Sequence, residues 1–430
     1  ENLGPYDCGQ NVTATLSRNN DGVETYTLTI TGDGPMANYD GYSYNNPCAP
    51  WCEKIQNITR LIVKEGVTTL GDDILSYRAF HPNLHEVKLP KGLTCIGARA
   101  FCDSPALKKV EIPNTVTEIK SFAFSGCTGL TEIELPPQLE EVDGGLFSRC
   151  SGLTEITIPS SVQKIGARAF QDCTNLESVT LPEGLREIEY NAFSGTNLKS
   201  LNIPKSVERL ENNIVGDCEH LAYITIEAPS QLKEIEIGFS YGVFHPHGNT
   251  NVYCEPRLLS QLPLINSNES AHFITTVDVT LVDGDTITPK KIAYGADITA
   301  LDKDKPTKQG YTFTGWYTNE DCTKQYPNEQ LFTNINGTTT LYAGWVATSD
   351  LSVTGGTATV EKDGLTLNIV PVVTGDKKTY SVPKNAKVTV TLDKTQIPEG
   401  MVFDIWTTGG FSLPPEQNYK AETITFTMSE

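Results

Sequence analysis

The stretch CTGLTEIELPPQLEEVDGGLF (residues 127–147) is followed by CSGLTEITIPSSVQKIGARAF (150–170) and then by CTNLESVTLPEGLREIEYNAF (173–193). Working outward in both directions, the leucine that opens each copy falls at Leu84, Leu107, Leu130, Leu153, Leu176, Leu198 and Leu221. Every step is 23 residues except one of 22. A repeat period in this range is the signature of a solenoid, and it sets the architecture before any local propensity is weighed.

Each copy carries apolar residues at fixed offsets, as in Leu130, Ile133, Leu135, Leu139, Val142, Phe147 and Cys150. The Leu-x-x-Ile-x-Leu-Pro opening alternates like a short strand, and the proline at its end stops the strand from running on. The closing x-Phe-Ser-x-Cys reads as a compact turn or short helix that folds the chain back. One copy buries too little apolar surface to offset the ordering of its backbone, so the array is stable only when copies stack.

The full pattern, L-x-x-I-x-I-P-x-x-V-x-x-I-G-x-x-A-F-x-x-C, resembles the bacterial leucine-rich repeats of the BspA type, over roughly residues 58–265. The resemblance implies a right-handed, curved solenoid exposed on a cell surface and used for adhesion or protein binding. Residues 1–57 lie outside the period and read as an N-terminal cap. A hairpin is expected there from Val12–Leu16, a turn at Asn19-Asn20-Asp21-Gly22, and Thr25–Ile30. A degenerate first repeat follows in ITRLIVKEGVTTLGDDIL (58–75), and LKEIEIGFSYGVF (232–244) with TNVYCEPRLLSQLPLI (250–265) reads as the decaying end and C-terminal cap of an array spanning 58–275.

Composition changes at Val277. Residues 276–346 resemble the internalin-type B-repeat, carried by Tyr294-Gly295, Gly310-Tyr311-Thr312-Phe313-Thr314-Gly315-Trp316-Tyr317 and Thr340-Leu341-Tyr342-Ala343-Gly344-Trp345. That resemblance implies a small β-grasp-like domain of bacterial surface proteins. Residues 347–430 resemble a divergent copy, carried by Tyr380, Val388–Leu392, PEGMVFDIWTTGG (398–410) and TITFTM (423–428). The expected fold is therefore mainly β: a cap, a leucine-rich-repeat solenoid with short helices or turns, and two small β-rich domains. A boundary is expected between about Asn266 and Thr276, with fragments on either side folding alone.

Charge narrows the partners. The chain of 430 residues has a net charge of −20; residues 276–346 and 347–430 contribute −3 each, leaving −14 for 1–275. No basic stripe exists for nucleic acid or anionic lipid, and nucleic-acid binding is not expected. No hydrophobic run reaches the ~18 residues of a membrane span. With no initiating methionine, the chain reads as a mature or truncated secreted protein, extracellular and monomeric.

Candidate chemistry is thin. Of eleven cysteines, Cys127, Cys150, Cys173 and Cys218 share one repeat offset and should form a buried, reduced ladder. Cys95 and Cys102 lie at other offsets, and Cys254 and Cys322 stand singly. Cys8, Cys48 and Cys52 remain, and a bridge between two of them fits an oxidising compartment without the pair being deducible. Cys48-x-x-x-Cys52 lacks the second ligand pair of a zinc site. Gly238-Phe239-Ser240-Tyr241-Gly242 fits a nucleophile elbow but sits in a decaying repeat rather than a strand-turn-helix. His81, His85, His220, His245, His247 and His272 gather no third ligand, and Asp283-Gly284-Asp285 is too short for a calcium loop and reads as a hairpin turn. Asn11, Asn57, Asn268 and Asn336 open N-x-S/T triplets that read as chance. No catalytic residue, cofactor or metal is assigned.

What remains is surface. Between the buried positions of each strand the chain offers Glu86, Lys109, Glu132, Glu155, Ser178, Ser200 and Tyr223 two residues after the leucine. Four residues after it come Lys88, Glu111, Glu134, Thr157, Thr180, Asn202 and Thr225. Charge gathers in the first half and hydroxyls in the second. The expected function is a secreted or wall-attached bacterial surface protein, non-catalytic, that binds a protein or glycan of host cells or matrix through this face. Its candidate residues are Glu86, Lys88, Lys109, Glu111, Glu132, Glu134, Glu155 and Thr157, with the B-repeats as spacers. The alternatives are a recognition module of a secreted enzyme system, or a purely structural stalk whose polar face is only solvated.

Overall fold

The computed structural model describes residues 2–40, 48–76, 82–235, 250–260, 271–309, 311–354, 356–362, 365–367, 371–374, 377–383, 386–392 and 423–427. The Gly238–Gly242 motif, His81, His245, His247, Asn268 and the stretch 398–410 lie outside them. The chain divides into two compact units, Glu1–Thr276 with Ala293–Gly295, and Val277–Ile292 with Ala296–Glu430.

In the first unit every repeat turns twice and strings three hydrogen-bond ladders between copies. The strand after each leucine pairs in parallel with its neighbour, as Glu132 and Ile133 do with Lys109 and Val110, and Glu155–Thr157 with Ser178–Thr180. The proline that ends it opens a tight turn, its carbonyl accepting from the N–H three residues on: Pro136 from Leu139 at 3.1 Å, Pro159 from Val162 at 3.1 Å. A second short strand then pairs the same way, Glu141–Val142 with Lys164–Ile165 and on through Glu187–Ile188 and Arg209–Leu210.

The third ladder runs through the closing turn, which contains no helix. The N–H of each phenylalanine reaches the carbonyl one copy ahead, Phe124 to Leu146 at 3.1 Å, Phe147 to Ala169 at 2.8 Å, Phe170 to Ala192 at 2.8 Å. Intervening N–H groups bond within their own copy, as Ser125 to Phe122 at 3.0 Å. The backbone must alternate direction to do this, and two positions per copy accordingly sit in the left-handed region. One column holds Arg99, Phe122, Gly145, Arg168, Asn191 and Asn213; the other holds Asp103, Gly126, Arg149, Asp172, Gly195 and Asp217. Glycine is needed at 145 on a second count: a Cβ there would stand 2.1 Å from the Phe122 ring.

Inside these ladders the side chains form columns. Phe101, Phe124, Phe147, Phe170 and Phe193 are fully buried and stacked, with successive ring centroids 5.2, 5.7, 5.5 and 5.4 Å apart. The cysteine column is buried as expected, and it has a polar task. Each thiol donates to the carbonyl of a phenylalanine in the preceding copy: Cys127 to Phe101 at 3.2 Å, Cys150 to Phe124 at 3.0 Å, Cys173 to Phe147 at 3.0 Å, Cys218 to Phe193 at 3.2 Å. Where the 22-residue step falls, Thr196 occupies the column and its hydroxyl donates to the Phe193 carbonyl at 2.8 Å.

The cap is larger than its hairpin. Asn2–Asp7 adds a third strand to Val12–Arg18 and Tyr26–Gly32, and Tyr26–Gly32 then pairs in parallel with Ile58–Val63. The cap thus continues the strand ladder and covers its first apolar edge. Cys48 and Cys52 form the disulfide, while Cys8 is free and buried. Trp51 anchors the segment, its indole N–H donating to the Ile74 carbonyl at 2.8 Å.

In the second unit the strands Thr276–Asp283, Thr286–Ala293, Tyr311–Tyr317 and Thr339–Thr354 lie in the spatial order second, first, fourth, third. The first and fourth are parallel, and a 3-10 helix over Ile298–Asp304 buries Leu301: a β-grasp-like arrangement. Gly284-Asp285 makes the hairpin turn, and Asp283 accepts the Trp345 indole N–H at 2.7 Å. The strand Thr339–Thr354 runs on to pair with Lys377–Pro383. A further sheet, ordered Leu365–Leu367, Gly356–Lys362, Lys387–Leu392 and Thr423–Thr427, is antiparallel throughout. Leu351, Val353, Val360, Tyr380, Val382 and Val388, drawn from both sheets, form one core.

Two outcomes follow from the columns. Phe147→Ala removes a ring stacked on both sides and should cost about 3–5 kcal/mol in urea unfolding, since neighbours held by backbone ladders cannot collapse into the gap. The thiols give a pH signature. Burial pushes Cys173 from 9.0 up to about 12. The folded chain therefore keeps this thiol protonated where the unfolded chain ionises. The stability it contributes is complete below pH 9.0 and is lost as pH rises toward 12. Unfolding free energy measured across that window should fall less steeply in Cys173→Ala than in the unsubstituted chain, and native Cys127, Cys150 and Cys173 should show no disulfide by mass spectrometry.

Candidate functional site

The first strand ladder places two outward columns side by side, because alternate residues of a strand point to opposite faces and parallel pairing keeps register. Between the strands at 109 and 180 these columns line an open groove of about 1170 Å³. Of the eight residues expected from sequence, Lys109, Glu111, Glu132, Glu134, Glu155 and Thr157 come together in it. Glu86 and Lys88 lie one strand earlier, outside the groove.

The charges divide into paired and unpaired sets. Glu86 bonds both Arg60 at 2.7 Å and Lys88 at 2.9 Å, and these two cations, Lys88 foremost, hold its carboxyl below the usual range. Lys109 and Glu132 are register partners with a 2.7 Å contact, which raises the Lys109 ammonium; Glu111 and Glu134 add to the same field. The charge that gathers on this face is thus neutralised at Glu86 and Glu132. Among the described residues Glu111, Glu134 and Glu155 have no ion pair, and Lys109 is the only base lining the groove. Walls of different character flank them: Ile112, Leu135, Pro137 and Pro159 supply apolar surface, and Ser160, Ser178 and Thr180 supply hydroxyls.

Further along, the same columns satisfy themselves. Thr225 donates to the Asn202 side-chain oxygen, and the Asn202 amide donates to Glu227. The groove is where this pattern of mutual satisfaction stops.

Sequence reasoning missed Arg60, which stands opposite Glu86 in the degenerate first repeat; counting from the leucines begins too late to see it. It also missed the second strand ladder, whose outward column at the same period is Glu118, Glu141, Lys164, Glu187 and Arg209. There the signs alternate from Glu141 onward. Lys164 contacts Glu141 at 3.0 Å and Glu189 at 2.8 Å, and Arg209 contacts Glu187 and Glu211. Glu187, Glu189 and Glu211 bring carboxylate oxygens within 4.8 Å of one another, the spacing of a cation site. Their charge is already met by Lys164 and Arg209, with backbone N–H groups of Ala167 and Tyr190 at 2.8 and 3.0 Å. The remaining described histidines, His85, His220 and His272, are exposed and dispersed.

A family model described as BspA type leucine rich repeat region, in six copies, matches residues 51–160 and 145–242. One described as Listeria-Bacteroides repeat domain matches residues 278–344. Among solved structures, a leucine-rich repeat protein from Bacteroides ovatus is 23% identical, with 57% of this chain and 71% of that one covered and a TM-score of 0.40. A leucine rich cell surface protein from Faecalibacterium prausnitzii is 21% identical, with 56% and 69% covered and a TM-score of 0.33. A leucine rich repeat protein of T. pallidum is 22% identical, with 55% and 82% covered and a TM-score of 0.29. No curated protein matches the chain.

The unpaired carboxylates set a test of the electrostatics alone. Glu134→Gln should raise the melting temperature at low ionic strength, by relieving repulsion from Glu111 and Glu155. The gain should vanish in molar salt, where the screening length is about 3 Å.

Proposed function

With residues 51–242 a leucine-rich repeat array of the BspA type and residues 278–344 a Listeria-Bacteroides repeat domain, we propose that the chain is a displayed bacterial binding protein without catalytic activity of its own. Its working surface is the groove on the first strand ladder. The observation that carries this is the set Glu111, Glu134 and Glu155, three carboxylates without an ion pair among the described residues, beside apolar and hydroxylated walls. On its second ladder the same array pairs its charges from Glu141 to Arg209.

The partner is a protein that presents lysines or arginines together with apolar surface. Exposed ion pairs are each worth only about 0.2–1 kcal/mol. Affinity then comes from several contacts made at once, and the wall residues add the non-electrostatic part. Display outside the cell fits the surface-protein character of the repeat family and the Cys48–Cys52 disulfide. The second unit then serves as a spacer.

The test is a binding screen of the full chain against extracellular-matrix proteins, repeated with Glu111→Gln, Glu134→Gln and Glu155→Gln together. The expected result is a hit whose affinity falls about tenfold or more in the triple variant and falls with salt in the unsubstituted chain. A hit with the same affinity and the same salt dependence in both chains would place the site elsewhere.

A further inference from the structure

The second unit holds a groove of its own, of about 960 Å³, between the 3-10 helix Ile298–Asp304 and the strand Tyr311–Tyr317. Its aromatic wall is built from Tyr311, Phe313, Trp316 and Trp345. Phe313 sits edge-on to both tryptophans, at 5.2 Å from Trp316 and 5.7 Å from Trp345. Tyr311 is exposed, and the Lys308 ammonium lies 4.5 Å from its ring centre and 5.8 Å from that of Trp345.

One charged group in this groove lacks an ion pair. Trp316 is only 4% exposed, and its indole N–H is sealed from solvent with no acceptor among the described residues. Lys308 has no ion pair among the described residues, whereas the other charged groups nearby are engaged. Lys305 contacts Asp302 at 2.8 Å, and Asp297 caps the helix by accepting from the Thr299 N–H at 2.9 Å.

We propose that this groove binds an acidic sugar, a pyranose ring bearing a carboxylate, and that the second unit is a binding module in its own right. The carboxylate pairs with Lys308, and the apolar C–H face of the ring lies against the aromatic wall that Tyr311 and Trp345 help to form. Gln325 and Asn328 also line the groove. Mixed aromatic and sparse polar lining is the usual composition of a small-ligand site.

An added peptide strand fits less well. The strand Tyr311–Tyr317 is bonded on one edge to Thr339–Thr354. On the other edge Tyr326 already donates to the Trp316 carbonyl at 2.8 Å, the Gln325 side chain to the Thr314 carbonyl at 3.3 Å, and Tyr311 to the Lys308 carbonyl at 3.1 Å. Few backbone groups are left for strand addition to use.

The experiment titrates the full chain with sialyllactose and with a glucuronate-containing tetrasaccharide, following tryptophan fluorescence and calorimetry. Carboxyl-reduced sugar and a poly-glutamate peptide serve as comparison probes. At least one acidic sugar should bind in the millimolar range or tighter, with the carboxyl-reduced form and the peptide weaker. Lys308→Gln, an exposed substitution that leaves the fold intact, should weaken binding about tenfold. Tyr311→Ala should weaken it by removing the exposed ring, and Lys291→Gln, paired with Asp278 on another strand, should leave it unchanged. No binding of either sugar, binding indifferent to Lys308→Gln, or poly-glutamate binding as tightly as the sugar would each overturn the proposal. The groove of the repeat array takes no part in these outcomes.

Discussion

The first unit depends on one constraint: no copy of the repeat has a core of its own, so each must present the same side chain at the same height as its neighbours. The phenylalanine column expresses this most directly. Rings stacked at 5.2–5.7 Å fill a shaft that no single copy could close, and the three backbone ladders fix their spacing. The left-handed pair in every closing turn follows from the same demand. Only by alternating its backbone can the turn send every second N–H forward to the next copy. The array accepts Phe122 and several arginines in that region because the ladder they complete returns more than the roughly 1–2 kcal/mol that each such residue costs.

The cysteines show how much a period reveals and where it stops. Their shared offset announces burial, and Cys127, Cys150, Cys173 and Cys218 are buried. The offset does not announce the task, because a column of small apolar residues would have the same spacing. The task becomes visible only when the thiol is seen beside the phenylalanine carbonyl of the previous copy; Thr196, in the short repeat, instead bonds the Phe193 carbonyl of its own copy. Likewise the period located the outward columns of the first ladder, but ion pairing depends on side-chain reach across the register. Arg60 was invisible to a count that began at Leu84. The cap was half legible: alternation marked Val12–Arg18 and Tyr26–Gly32, while Asn2–Asp7, with Gly4-Pro5 in its middle, carries no such signal.

In the second unit the reading from sequence reached the fold through its aromatics, and stopped there for a related reason. Trp316 and Trp345 count equally as core residues in a linear pattern. In three dimensions one has its N–H satisfied by Asp283 and the other does not. That difference is made by the loop geometry, which a spacing rule does not encode.

The dimensions of the repeat also limit what its groove can select. Neighbouring strands lie about 4.8 Å apart, so Glu111 and Glu134, in one column on successive rungs, recur at that interval. A partner strand presents same-face residues about 6.6 Å apart, and a helix presents neighbours on one face about 5–6 Å apart. Over many rungs the helix would keep step better. The unpaired set, however, spans only the rungs of Glu111, Glu134 and Glu155, and Glu155 stands in the other column. Across so short a span, flexible lysine and arginine side chains absorb either mismatch. Charge alone therefore gives this groove attraction without shape selectivity. Discrimination between basic partners falls to the walls, where Leu135, Pro137 and Pro159 are rigid and apolar, and where a partner's uncharged residues either fit or leave surface exposed to water.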